Sequence, residues 1–208
     1  MNILIVAFVG TITDESETPI SGNGKTCSMT GLAYLDYLKG KQIWSNYKTT
    51  FSEEEIGLQA MIDKIGKKPH PNLILCVSEM QQLLNSIGSN QNEVLFIDAF
   101  ASQLRKLQVN LYYDTQRFNN IHKRLRIHTD VIFMPMKYHF DNTQCNYNNC
   151  RKPHKIYLYS HKPRKQKWRC IFDAGEVGKL YNSGEIIEDI LRVPAKKKKF
   201  EKEGDDIE

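Results

Sequence analysis

The chain has 208 residues, 40% of them hydrophobic, which is enough for one well-buried core, and a formal net charge of +5. No run of about 18 or more apolar residues occurs, which excludes a hydrophobic membrane-spanning helix. The five cysteines (Cys27, Cys76, Cys145, Cys150, Cys170) lack a framework spacing, which argues against a disulfide scaffold and for a reduced, intracellular protein.

Ile3–Val9 is a short, nearly continuous apolar run without a basic flank. It reads as a strand buried on both faces of a parallel sheet and not as a signal peptide. A polar stretch and Pro19 lead into Ser21-Gly22-Asn23-Gly24-Lys25-Thr26. Met29, Leu32, Leu35 and Leu38 then recur at near-helical spacing over Lys25–Lys39, with Gly40 as the stop. Gln42–Phe51 is expected to be a second strand and Glu53–Ile65 an amphipathic helix opened by Ser52. Pro69 and Pro71 break the chain before a third buried strand, Asn72–Val77. Met80–Leu84 begins a helix that the polar turn Gly88–Asn92 interrupts. Val94–Ile97 alone is strand-like, but Phe96, Phe100, Leu104 and Leu107 form one continuous stripe, which favours a helix over Val94–Leu107. A fourth strand at Val109–Tyr113, a helix at Phe118–Ile127 and a fifth strand at Val131–Met136 follow. Beyond a polar loop at 140–155, Ile156–Ser160 and Trp168–Phe172 are expected to pair antiparallel at a sheet edge. This alternation predicts an α/β fold, a mainly parallel central sheet flanked by helices, over residues 1–194. Residues 195–208, a mixed-charge run with little to bury, are expected to be a disordered tail.

The glycine loop carries the chemistry. A loop between a buried strand and a helix start presents unpaired N–H groups and the positive end of the helix dipole. The segment Ser21, Gly22, Asn23, Gly24, Lys25, Thr26 and Cys27 would wrap the phosphates of ATP, with Gly22 and Gly24 keeping Cβ atoms out of the way. Lys25 would reach the β- and γ-phosphates, and the Thr26 hydroxyl would serve Mg²⁺. The usual pattern is G-x-x-x-x-G-K-[ST], and its first glycine is Pro19 here.

Hydrolysis also needs an acid at a strand end to activate water, and another to hold Mg²⁺. Two segments compete, Leu73–Val77 followed by Ser78-Glu79 and Val94–Ile97 followed by Asp98. The helical stripe through Phe96 makes the first the better strand, so Glu79 is favoured as the water-activating acid over Asp98. Ser78 then stands where an Asp commonly sits, and its hydroxyl can accept from a Mg²⁺-bound water without supplying charge. Gln116, at the tip of the fourth strand, is suited to contact a γ-phosphate. Arg124, Arg126 and Arg105 are candidates for an arginine supplied in trans to a neighbouring subunit, with helix-end complementarity the plainer reading of Arg105.

Charge is unevenly placed along the chain. Arg117–Arg169 holds 13 lysines and arginines against Asp130 and Asp141, a local balance of +11 that leaves −6 for the remainder. Within it, Lys162, Arg164, Lys165, Lys167 and Arg169 surround a turn beside Trp168, fitting either a hairpin that grips nucleic-acid phosphates or an edge protected by lysines. His139, Cys145, Cys150 and His154 lie in the preceding polar loop, where zinc binding, a Cys145–Cys150 disulfide and free thiols are all open readings.

The order of these motifs is Gly-Asn-Gly-Lys-Thr, a strand ending Ser-Glu-Met-Gln, a helix ending Gln-Leu-Arg-Lys, and then Asp114–Asp130 with its Thr-Gln tip and Arg-Leu-Arg helix. It resembles the FtsK/HerA-type DNA-pumping ATPases, most of all the genome packaging ATPases of archaeal turreted icosahedral viruses. The resemblance implies a RecA-like P-loop NTPase sheet with antiparallel edge strands and a homo-oligomeric ring. It further implies ATP and Mg²⁺ as cofactors, and movement of double-stranded DNA into a viral capsid at a vertex. The setting it implies is the host cytoplasm, with the virion as a second location. It matches Lys25 and Thr26 to the phosphate loop, Glu79 to the catalytic glutamate and Gln116 to the sensor, and departs from the family at Pro19 and Ser78. Two other classes use the same loop: a nucleotide or nucleoside kinase, and a DNA-binding nucleotide switch with little turnover.

Overall fold

The computed structural model describes residues 4–11, 23–82, 91–145, 150–160 and 169–182. Eight strands form one sheet: β1 (Ile5–Thr11), β2 (Gln42–Ser45), β3 (Glu54–Glu55), β4 (Leu73–Val77), β5 (Asn110–Arg117), β6 (Val131–His139), β7 (His154–Ser160) and β8 (Arg169–Asp173). Their order across the sheet is β3-β2-β4-β5-β1-β6-β7-β8. The pairings from β3 to β6 are parallel, and β7 and β8 extend the sheet antiparallel.

Alternate residues of the central strands feed two cores. Ile5, Ala7, Val9, Leu73, Leu75, Val77, Leu111 and Tyr113 face one side, where they meet Met61 and Ile65 of α2 (Leu58–Ile65), Phe100 and Leu104 of α3 (Gln91–Lys106), and Leu125 of α4 (Lys123–His128). Val6, Phe8, Ile74, Cys76 and Tyr112 face the other, against Met29 and Ala33 of α1 (Lys25–Tyr37) and Val177 of α5 (Ala174–Gly178). Both faces are covered, which is why β1 and β4 read as unbroken apolar runs. α5 was not expected from the sequence; Asp173 caps it by accepting from the amides of Gly175 and Glu176.

Several boundaries differ from the expectation. β2 stops at Ser45, not Phe51, because side chains compete for the backbone: Ser45 donates to the Tyr47 carbonyl at 2.7 Å and Thr49 Oγ1 accepts from the Ser52 amide at 2.9 Å. Ser52 does not cap the helix, whose N-cap is Gly57. Glu54–Glu55 adds a short edge strand, and α2 starts only after Gly57. Phe118–Ile127 is not one helix but a 3-10 turn at Phe118–Asn120 followed by α4, whose His122 cap accepts from the Arg124 amide at 3.3 Å. β5 runs four residues beyond Tyr113, through Asp114 and Gln116. α3 is helical through Asp98, as its stripe predicted. No helix among the described residues is long and apolar enough to cross a membrane. The expected tail, 195–208, lies outside the described residues.

Candidate functional site

β1 lies between β5 and β6, with α1 starting just beyond its carboxyl end. Such a strand-end crevice is where α/β sheets bind ligands. Gly24 precedes α1 with φ +90°, a conformation that calls for glycine, and a Cβ there would come within 2.5 Å of Ile156 Cδ1 and push that side chain aside. The first amides of the 13-residue α1 have no partner within the helix and point at the crevice. Lys25 is buried at 6% exposure and donates to neutral amide oxygens, Gln116 Oε1 at 3.0 Å and Asn23 Oδ1 at 3.5 Å.

Strand alternation builds the floor of the crevice. Tyr112 faces α1, so Asp114 and Gln116, two and four residues on, face it too. On β4 the same parity carries Ile74, Cys76 and then Ser78 to that side. Asp114 is completely buried. Its Oδ2 accepts from Thr26 Oγ1 at 2.6 Å and Ser78 Oγ at 3.1 Å, and its Oδ1 from the Glu79 amide at 2.7 Å. Burial pushes the Asp114 pKa upward, the hydrogen bonds from Thr26 and Glu79 and the Lys25 charge pull it down, and the Glu79 charge adds to the rise; the net shift is upward. Thr26, Ser78 and Asp114 therefore present oxygen donors around one point, a set that fits Mg²⁺.

Glu79 stands at the rim, half-buried, with its backbone in the left-handed region at φ 54°. Non-glycine residues avoid that region unless the surroundings enforce it. Here Asp114 holds the Glu79 amide, while Asn46 clamps the preceding peptide, accepting from the Ser78 amide at 2.7 Å and donating to the Ser78 carbonyl at 3.1 Å. The Glu79 carboxylate accepts from Gln116 Nε2 at 3.1 Å, from Gln82 Nε2 at 3.3 Å and from Gln81 Nε2. Lys25, Gln116 and Glu79 thus form one hydrogen-bonded chain across the crevice.

The structure brings Asn23, Gly24, Lys25, Thr26, Ser78, Glu79 and Gln116 together, while Ser21 and Gly22 lie outside the described residues. Cys27 sits on the first turn of α1 with its thiol buried beside Tyr181, and burial raises its pKa to about 12. Asp98 lies in α3, away from any strand end. Arg105 is tied within the chain, donating at 3.2 Å to both Asp130 and the His128 carbonyl. Arg126 donates to Asn119 at 2.9 Å, and Arg124 is exposed on α4. Lys162, Arg164, Lys165 and Lys167 lie outside the described residues, and Arg169 opens β8 opposite Tyr159.

Two residues of the site were missed from sequence. Asp114 closes the run Leu111-Tyr112-Tyr113, an apolar strand ending in an acid, and was hidden by ending the strand at Tyr113. Asn46 carries no local signal, since its role depends on β2 and β4 pairing.

Comparison with solved structures supports this architecture. The N-terminal domain of zonular occludens toxin from Neisseria meningitidis matches with a TM-score of 0.53 at 15% identity, over 87% of this chain and 100% of that one. The chain has the α/β fold of RecA-like P-loop NTPases. Weaker matches are the flagellar accessory protein FlaH from Methanocaldococcus jannaschii (TM-score 0.43, 11% identity, 82% and 84% covered) and the cytoplasmic domain of the Thermomonospora curvata type VII secretion ATPase EccC (0.44, 13%, 89% and 27%). No family model and no curated protein matches the chain.

Proposed function

We propose that the chain is an ATP-hydrolysing motor that moves double-stranded DNA, with Thr26 and Asp114 holding Mg²⁺ and Glu79 activating water. The observation that carries hydrolysis is the pair of linked contacts at the strand ends, Thr26 to Asp114 and Lys25 through Gln116 to Glu79. Mg²⁺, when bound, would be held by Thr26 and Asp114 and would offset the charge of the phosphates. Asp114 supplies from β5 the carboxylate that Ser78 lacks on β4, which supports turnover over a switch.

Lys25 exchanges its bond to Gln116 for one to phosphate, because an anion outcompetes a neutral amide oxygen. Gln116, released by Lys25, turns its amide to the γ-phosphate and lets go of Glu79 Oε1. Glu79 then accepts a proton from the attacking water, its backbone held by Asn46 and Asp114. Coupling Glu79 release to Lys25 engagement ties readiness for hydrolysis to the presence of triphosphate.

What supports DNA as the track is the +11 balance of Arg117–Arg169. A ring of copies acting at a capsid vertex extends the same proposal. Within such a ring Arg105 is the poorer arginine to act in trans, since it is bonded to Asp130 and His128 of its own chain. The deciding experiment is ATP turnover at low salt with and without double-stranded DNA. Stimulation by DNA is expected, phosphate transfer to a small acceptor would select a kinase, and no turnover would select a switch.

A further inference from the structure

At the far end of the β6–β7 pair, two histidines and two cysteines meet. His139 ends β6 and His154 opens β7, and the antiparallel register sets them directly opposite one another, with ring centroids 4.7 Å apart. The chain between them does not simply loop away. After His139 it turns back at once, with Thr143 bonding the His139 amide at 2.9 Å and Asp141 accepting from the Thr143 amide at 2.9 Å. It then lays Gln144 against Tyr138, and the Cys145 amide donates to the Lys137 carbonyl at 2.8 Å. That turn returns Cys145 to the histidine pair, and Cys150 joins it from the strand leading into β7.

The ligand atoms of His139, Cys145, Cys150 and His154 all lie within 4.8 Å of one another. A tetrahedron built from Zn–S bonds of about 2.3 Å and Zn–N bonds of about 2.0 Å has edges of roughly 3.3–3.8 Å, so closing it needs shifts of about 1 Å. Cys145 and His154 are buried, and the other two ligands are half-buried. His139 Nδ1 and His154 Nε2 are buried without a hydrogen-bond partner. Two orphaned ring nitrogens side by side are unfavourable unless something accepts their lone pairs.

We infer that these four residues bind one structural zinc ion that staples the β6–β7 hairpin. Zinc takes such a two-cysteine, two-histidine set as a closed tetrahedron, with no coordination position left for chemistry. A Cys145–Cys150 disulfide would leave both histidine nitrogens orphaned, and none of the five cysteines is in a disulfide. Two thiolates and two neutral imidazoles also cancel the charge of Zn²⁺, so the ion adds no net charge to a half-buried place. The staple bears on the phosphate loop as well, because Ile156, two residues after His154, packs against Gly24.

The test is metal content and cobalt substitution on the full chain, purified under reducing conditions. About one zinc per chain is expected by elemental analysis, falling at least tenfold in the Cys145→Ser/Cys150→Ser double variant. Because that variant could unfold, apo wild-type protein is also titrated with Co²⁺. A tetrahedral visible spectrum with thiolate charge-transfer bands, saturating at one equivalent and bleached by zinc, is expected. A zinc-free wild-type protein whose Co²⁺ spectrum stays that of the hydrated ion overturns the site. So does a zinc signal that survives in a folded double variant. Neither result bears on ATP turnover, so the two proposals stand or fall separately.

Discussion

β4 and β5 lie side by side and each delivers one carboxylate to the same crevice, yet the two acids have different surroundings. Asp114 is fully buried, aligned within a strand, and shared among a threonine hydroxyl, a serine hydroxyl and a backbone amide. Glu79 lies one step past the end of β4, in a strained backbone conformation, and among the described residues its carboxylate accepts from amide side chains. The first arrangement holds a charge in place, which suits a metal ligand that must not move. The second leaves a carboxylate poised at the rim, able to exchange a glutamine for a water. In the proposed hydrolase the metal-holding and water-activating roles would fall to neighbouring strands, with Asp114 supplying the charge that Ser78 lacks.

The sharpest way to break this division is at Glu79. Glu79→Gln keeps the shape, exchanges one acceptor oxygen for a donor, and cannot take a proton. Turnover should fall by roughly 10²–10⁴-fold while Mg²⁺-ATP still binds, measured by single-turnover hydrolysis alongside nucleotide binding. If Asp98→Asn has that phenotype and Glu79→Gln does not, the roles are misassigned.

Asp114→Asn should do the reverse, abolishing the Mg²⁺ dependence of nucleotide binding while making the nucleotide-free protein more stable. The sign follows from burial. The folded-state pKa of Asp114 is raised, so its contribution to stability is fully present below the ordinary carboxylate range and is lost as pH rises through the folded pKa. Wherever the pH lies above the folded pKa, the wild type carries a buried charge that asparagine removes. The gain would appear as a higher thermal midpoint with a flatter dependence on pH above the ordinary carboxylate range. A drop in midpoint at neutral pH would mean that its three hydrogen bonds outweigh the desolvation.

A swap tests whether the charge alone matters or its strand does. Ser78→Asp in the wild type places a second carboxylate against Asp114, where Ser78 Oγ already lies 3.1 Å from Oδ2, and should destabilise the chain. In an Asp114→Ser background the same change should restore turnover at least tenfold over the single variant, roughly, as coupled neighbours do. Absence of rescue would show that the metal geometry depends on β5 specifically.

These residues also mark what could be read from sequence. β1 and β4 were legible because burial on both faces leaves no polar interruption, and α3 because a helical stripe overrides four strand-like residues. Gly24, Lys25, Thr26 and Glu79 could be singled out because they sit in local motifs, and the structure brings them to one crevice. Asp114 was not, since its meaning comes from lying across β5 from Thr26, 88 residues earlier in the chain. The Gln42–Phe51 strand failed for a local reason, hydroxyl side chains that satisfy the backbone and release it from the sheet.

The smallest expected effect comes from a third carboxylate, Asp130, at the opposite end of the sheet. It accepts from the Ile5 amide at 2.9 Å, fastening the start of β1, and from Arg105 at 3.2 Å. Both partners of the ion pair are a third or more exposed, Arg105 at 44% and Asp130 at 33%. An exposed pair of this kind contributes about 0.2–1 kcal/mol, so Arg105→Ala should lower the thermal midpoint by a degree or two, roughly, and leave turnover per folded chain unchanged. A thousandfold loss of turnover, on the order seen when an arginine acts in trans, would move Arg105 from the fold of its own chain to the active site of its neighbour. The crevice would then need a third contributor from outside the chain.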